Sequence, residues 1–284
     1  MKKSSENGVT TRKVGEPRTW EDFYKAFQNL LPRVSNSHSP SDIFRDVCRI
    51  FSLSLRGAVT VVQTEKDEIE KQYMSYVEKY GKEGMEKVSI LFAYVVQALE
   101  LRRSDFLGHV YEALNATVKS FGQFLTPDSI AKMIGRVTFG STEIEQGKII
   151  KLNDPSCGAG ALLIEAAEAY ITNGGRQGDL LLYGEDLDAT ACCITYVQFS
   201  FLGYAAIVTH QDTLSMKVYE GPWYTPCYFA HGMPMRLIAE GMAKKNDEQA
   251  EAKQWGSIEM PQEEPVEETK PINVRELVQG EFNF

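Results

Sequence analysis

Residues 149 to 163, Ile-Ile-Lys-Leu-Asn-Asp-Pro-Ser-Cys-Gly-Ala-Gly-Ala-Leu-Leu, constrain the fold more than any other stretch of this chain. A short apolar strand ends at Asp154-Pro155, turns through Gly158 and Gly160, and opens a helix. Glycines without a Cβ let the chain turn sharply and bring its backbone close to a ligand, and the free N–H groups of the helix's first turn favour an anion. Asp154 at the head of the loop would repel a phosphate but suits a ligand with a cationic end. A Gly-x-Gly turn alone is also compatible with an ordinary tight connection in any α/β domain.

The neighbouring segments extend the pattern. Upstream, Phe121-Gly122-Gln123-Phe124-Leu125 reads as a loop, Thr126 as an N-cap and Pro127 as the first residue of a helix whose apolar face is Ile130, Met133 and Ile134. Downstream, Leu180 to Asp186 and Ala205 to Asp212 read as two further strands, with helices Ala161 to Tyr170 and Ala189 to Phe201 in the connections. The three strands end in Asp154, Asp186 and Asp212, and ligands of open parallel sheets bind at the carboxyl ends of strands, so the three acids are expected at one crevice. The second acid follows the first by 32 residues, more than the roughly 20 usual in dinucleotide folds, which argues against NAD. S-adenosylmethionine carries both an amino group and a carboxylate, as the acid and the helix start require.

At these residues the chain resembles the adenine-N6 DNA methyltransferases, and most closely the modification subunits of type I restriction systems, over about residues 105 to 215. Gly122-Gln123-Phe124-Leu125-Thr126-Pro127 is similar to the family's cofactor-capping segment, and Asp154-Pro155-Ser156-Cys157-Gly158-Ala159-Gly160 to its main S-adenosylmethionine loop. Gly184-Glu185-Asp186-Leu187-Asp188 is similar to the ribose-binding strand end, and Asp212-Thr213-Leu214 to the segment beside the cofactor's adenine. The resemblance implies a Rossmann-like, S-adenosylmethionine-dependent methyltransferase core of α/β class, preceded by a helical region. It implies that Thr126 contacts the methionine end of the cofactor, that Asp154 with Pro155 holds its amino group, and that the backbone of Gly158, Ala159 and Gly160 holds its carboxylate. Asp186 would take the ribose hydroxyls, Leu187 would pack on the adenine, and Asp212 would accept from the adenine N6. Each has a plainer reading: Thr126, Asp186 and Asp212 could cap the helix or turn that follows, and Leu187 could be core.

The chain also departs from the family. There, an Asn-Pro-Pro followed by Tyr or Phe comes after the third strand, its acceptors holding the target amine and its ring stacking on the flipped base. This sequence contains no Pro-Pro pair, and where the motif is due it reads Gly221-Pro222-Trp223-Tyr224-Thr225-Pro226-Cys227-Tyr228-Phe229, with no Asn or Asp beside either proline. No catalytic residue is therefore assigned. With 72 residues after Asp212, an incomplete sheet is expected, one that keeps the cofactor half of the fold and most of whose substrate half is missing.

From Asn246 to Phe284 ten acids face Lys253, Lys270 and Arg275, with Pro261, Pro265 and Pro271 interspersed, so 246–284 reads as an acidic disordered tail. The tail holds −7 of the formal net charge of −9, and neither part of the chain has the basic surface of a protein that binds DNA unaided. DNA contact is expected through a partner subunit, and the terminal Phe282 and Phe284 could anchor a protein partner at the tail. Cys48, Cys157, Cys192, Cys193 and Cys227 show neither a disulfide framework nor metal spacing, and no run of the ~20 apolar residues that span a bilayer is present. A cytoplasmic protein without metal or membrane partner is the expectation.

Residues 1–18 read as disordered and 19–118 as a helical region: Trp20 to Leu31, Ser41 to about Leu55 with Asp42 as N-cap, Glu65 to Tyr80, Met85 to Arg102 and Asp105 to Val118, with Gly81 and Gly84 in a turn. Its aromatic stripe is expected in the core rather than as a base-stacking platform. Residues 119–245 form the methyltransferase-like cofactor domain. The function expected is that of an S-adenosylmethionine-binding protein of the DNA adenine-N6 methyltransferase class with a degenerate acceptor site, active if at all with a partner. The alternative is a non-catalytic regulatory or anti-restriction binding protein that retains the fold.

Overall fold

The computed structural model describes residues 17–115, 126–140 and 143–256. Four helices come first: α1 (Trp20–Leu30), α2 (Pro40–Val59), α3 (Gln63–Leu101) and α4 (Phe106–Asn115). A capping box starts α1, with the Asp22 amide donating to Thr19 Oγ1 at 3.1 Å and the Thr19 amide to the Asp22 carboxylate at 3.0 Å. The cap of α2 is Ser39, whose hydroxyl accepts from the Asp42 amide, with Pro40 in the first turn. The expectation of Asp42 as N-cap is thereby corrected: a serine three residues earlier does that work, and Asp42 is its third-position partner. The break expected at Gly81 and Gly84 falls at Gly81 alone, whose φ of 61° lies outside helical space. Gly84 is buried in the second half of α3, where a Cβ would stand 2.9 Å from Tyr80 Cβ and 3.1 Å from the Val34 carbonyl oxygen.

The helices α5 (Asp128–Phe139), α6 (Ala161–Thr172) and α7 (Ala189–Phe201) accompany strands β1 (Ile150–Asp154), β2 (Leu180–Asp186), β3 (Ala206–Asp212) and β4 (Lys217–Tyr224). The sheet order is β1-β2-β3-β4, parallel for the first three and antiparallel for β4. Both parallel connections step across the sheet in one direction, which places α6 and α7 on one face. There they touch, a Cβ at Gly160 standing 3.0 Å from the Phe199 ring. The expected fold class, an α/β Rossmann-like core of few strands behind a helical region, is observed. Strand β4 was not expected, and the short α8 (Pro226–Ala230) follows it.

One hydrophobic core runs from α1 to β4. Phe27 makes edge contacts with Phe44 and Phe106, and Phe92 links Phe51 to Phe201 at 5.0 and 4.9 Å between centroids, so the aromatic stripe of the helices is core. The apolar face predicted for α5 points outward instead: Ile130, Met133 and Ile134 are 38–59% exposed, while Ala131 and Phe139 are buried. Gly135 lies against α6, where a Cβ would stand 2.7 Å from the Glu165 carbonyl oxygen.

The described residues from Leu237 onward belong to a separate unit and, with Met233 to Arg236 ahead of them, form the helix α9 (Met233–Gly256). This helix continues past Asn246, where the acidic tail was expected to begin, and 257–284 lie outside the described residues.

Candidate functional site

Strand register fixes the three acids. Asp154 is level with Gly184 on β2, so Asp186 lies two residues further along, and Asp186 is level with His210 on β3, so Asp212 lies two further again. The carboxylates thus form a staircase along the carboxyl edge of the sheet rather than a single cluster.

The loop between β1 and α6 is tied to β2 at each step. The Asp154 carboxylate accepts from the Ser156 amide at 3.1 Å, the Cys157 amide donates to the Glu185 carbonyl at 2.9 Å, and the Gly158 amide donates to the Asp186 carboxylate at 2.8 Å. The other oxygen of Asp186 accepts from the Asp188 amide at 2.8 Å. Gly158 and Gly160 have φ of 54° and 84°, left-handed values that a glycine tolerates, and Thr195 donates to the Gly158 carbonyl at 2.8 Å. Gly160 stands as N-cap of α6 without a side-chain cap, which leaves the first-turn amides of that helix directed at the crevice. Burial raises the Asp154 pKa, and the nearby Asp186 adds to the rise against the Ser156 amide. A half-buried carboxylate whose charge is disfavoured in this way is suited to a cationic partner.

Leu187 follows Asp186 with its side chain 61% exposed, so the reading of Leu187 as core does not hold. Its carbonyl pairs with the ring of His210 at 3.1 Å. Asp212 caps the turn that follows it, accepting from the Leu214 and Ser215 amides and from the Ser215 hydroxyl at 2.7 Å, and the Ser215 hydroxyl, ahead of the backbone bonds, lowers its pKa. Thr126 and Pro127 precede α5, whose N-cap is Pro127 without a side-chain bond, so the expected capping by Thr126 is corrected by one position. The pairs Gly135 with Glu165 and Phe139 with Tyr170 show α5 and α6 running in the same direction, which brings the Thr126 end beside the Gly160 end. Residues 121–125 of the expected capping segment lie outside the described residues.

Three residues missed in the sequence complete the crevice. Thr213 donates to the Pro155 carbonyl at 2.8 Å and to Glu185 at 3.1 Å, and Glu185 also accepts from Gln211 at 2.5 Å, joining the ends of all three parallel strands. Gln198, fully buried on α7, donates to the Ala159 carbonyl at 2.9 Å and to Asp105 at 2.8 Å while accepting from the Leu107 amide, which couples the loop to the start of α4. The segment where the acceptor motif was due forms the end of β4: Trp223 pairs with Val208 and Tyr224 with Ile207, so it runs back towards the beginning of β3. Among the described residues no group of three or more His, Cys, Asp or Glu could hold a metal ion, and no helix is long and apolar enough to cross a membrane. All five cysteines are free thiols.

Residues 102–226 match the family model described as N-6 DNA Methylase. The chain is 29% identical over 127 residues to the type I restriction enzyme MjaIX methylase subunit of Methanocaldococcus jannaschii, a match covering 43% of this chain and 22% of that protein. It is 22% identical over 226 residues to the type I restriction enzyme MpnII methylase subunit of Mycoplasma pneumoniae, covering 74% of this chain and 37% of that one. The chain thus spans well under half the length of either relative. Similar solved structures include a class I S-adenosylmethionine-dependent methyltransferase from Listeria monocytogenes, at 16% identity and a TM-score of 0.39 over 72% of this chain and 56% of that one. Another is a type I restriction-modification methyltransferase subunit from Streptococcus thermophilus, at 16% and 0.41 over 72% and 61%.

Proposed function

We propose, from the match of residues 102–226 to the N-6 DNA methylase family model, that the protein binds S-adenosylmethionine in the crevice at the carboxyl ends of β1 and β2, as a member of the DNA adenine-N6 methyltransferase class. The observation that carries this reading is the loop Asp154 to Gly160, held by backbone bonds to the end of β2 and opening on an uncapped helix start. In this assignment Asp154 and Pro155 receive the cofactor's ammonium end, and the α6 amides beyond Gly158, Ala159 and Gly160 receive its carboxylate. The Gly158 and Gly160 amides themselves are already bonded within the protein. Each Asp186 oxygen has one donor and a lone pair left for the ribose hydroxyls, and Leu187 offers an exposed apolar surface to the adenine. Thr126 borders the methionine end. Asp212 is assigned to the adenine N6, although its carboxylate already takes three bonds from its own turn.

The acceptor side is assigned to no residue of this chain. Methyl transfer needs the adenine amine held in line with the methyl group, and an unoriented amine loses a large part of the catalytic effect. Gly221 to Tyr224 lies on β4, which runs from beside Asp212 back towards the start of β3, and this course supports placing the acceptor elsewhere. We therefore assign transfer, where it occurs, to an assembly with a cytoplasmic partner that supplies the acceptor and the DNA contact. The course of β4 equally favours a second reading, a non-catalytic regulatory or anti-restriction binding protein.

Labelling of DNA by tritiated S-adenosylmethionine, with the purified chain and with its co-purifying proteins, separates the two. Label only in the presence of a partner supports the subunit reading. Cofactor binding without label in either arm supports the binding protein, and label from the chain alone refutes the assignment of the acceptor elsewhere.

A further inference from the structure

Asp186, Leu187 and Asp188 make the turn from β2 into α7, and each is held by a different part of the molecule. The Gly158 amide of the cofactor loop donates to Asp186 at 2.8 Å, and the His210 ring of β3 pairs with the Leu187 carbonyl at 3.1 Å. The third hold comes from 77 residues away, where the Tyr111 hydroxyl on α4 donates to Asp188 Oδ2 at 2.6 Å. That is the length of a charge-assisted bond from a hydroxyl to a carboxylate. The Tyr111 ring is rooted in the helical region, stacked on the fully buried Phe44 with centroids 5.8 Å apart and planes 17° from parallel.

The two oxygens of Asp188 have separate partners. Oδ1 accepts from the Thr190 amide at 2.8 Å and caps α7, so the start of that helix does not depend on Tyr111. Oδ2 takes the phenol, which fixes Asp188 against α4. The Asp188 amide in turn donates to Asp186 Oδ1 at 2.8 Å, so a displacement of Asp188 is passed to the carboxylate assigned to the ribose hydroxyls and to Leu187 between them. The bonds made within the turn, between residues two apart, set its own shape. The bond from α4 sets where that shape stands relative to the core. Binding groups locked in this way by a supporting shell avoid part of the ordering cost when a ligand arrives.

We propose that Tyr111 is a positioning residue for the ribose and adenine end of the cofactor, acting through Asp188 on Asp186 and Leu187; this rests on the reading of the crevice as an S-adenosylmethionine site. Tyr111→Phe keeps the ring on Phe44 and the cap on α7, and removes only the bond from the phenol. Calorimetric titration of the full chain with S-adenosylhomocysteine, and with its 2′-deoxy analogue in competition, tests the role. In Tyr111→Phe the affinity for S-adenosylhomocysteine is expected to fall at least about threefold further than that for the analogue, because only the former uses both ribose hydroxyls. A merely structural tyrosine would weaken both ligands by the same factor. Amide exchange of the free protein gives a second readout: the Asp188 amide should exchange faster in Tyr111→Phe, and the Leu182 amide at the centre of the sheet should not change. Failure of the wild type to bind S-adenosylhomocysteine at millimolar concentration would overturn the cofactor reading and this proposal with it. Wild-type binding with equal losses for both ligands in the variant, or an unchanged Asp188 amide, would overturn the proposal alone.

Discussion

Asp154 is the side chain whose protonation the proposed cofactor would change most. Its pKa is raised in the free protein, and a cationic group bound beside it would lower that value. Binding therefore releases protons, so its contribution to affinity is present in full above the free-state pKa and is lost as pH falls through the bound-state pKa. S-adenosylmethionine titrations at descending pH should show this loss on the acid side, and Asp154→Asn should bind more weakly with a flatter profile; a wild-type affinity constant across that range would count against the ammonium assignment. Gly160 is tested by stability: in Gly160→Ala the new Cβ meets Phe199 at 3.0 Å at a φ of 84°, and a loss of about 1–3 kcal/mol is expected in chemical denaturation. The acids at the strand ends were legible because each closes an apolar run. Gln198, Glu185 and Thr213 were not, since their roles come from partners brought together by the fold, as with Gln198 and Asp105, 93 residues apart.

At the scale of elements, the strands and helices around the loop were readable from periodicity, and β1, β2, β3, α6 and α7 lie within two residues of their expected bounds. Strand β4 was hidden by Gly221-Pro222, which marks a run as a break in sequence but is tolerated on an edge strand that needs no central donor. The period of α5 was correct and its direction was not. Three apolar residues set the pattern, yet Gly135 decides the packing because it lets the backbone of α6 approach. The coupling of α4 to the cofactor loop is measurable through Gln198→Leu, which leaves the Ala159 carbonyl and the Leu107 amide unpaired in the core. Each lost buried partner costs about 1–3 kcal/mol, so a clearly lower melting temperature is expected, together with weaker cofactor binding. A melting temperature equal to wild type would show that the network does not hold the loop.

For the whole molecule, the helical region and the sheet share one core, so the crevice is held from both sides, by β2 through Asp186 and by α4 through Gln198. The charge of −9 and the course of β4 are the observations behind the proposal that cofactor binding and methyl transfer to DNA are divided between this chain and a partner. The purified protein is accordingly expected to leave adenine N6 unmethylated even where it binds the cofactor, as mass spectrometry of nucleosides from treated DNA would record. Binding is the claim on which the rest depends, and isothermal titration of the full chain with S-adenosylmethionine tests it most directly. The account predicts one saturable site, lost in a folded Asp186→Ala variant that has no carboxylate for the ribose or for the Gly158 amide. Absence of binding at millimolar cofactor, or equal binding by that variant, would contradict it.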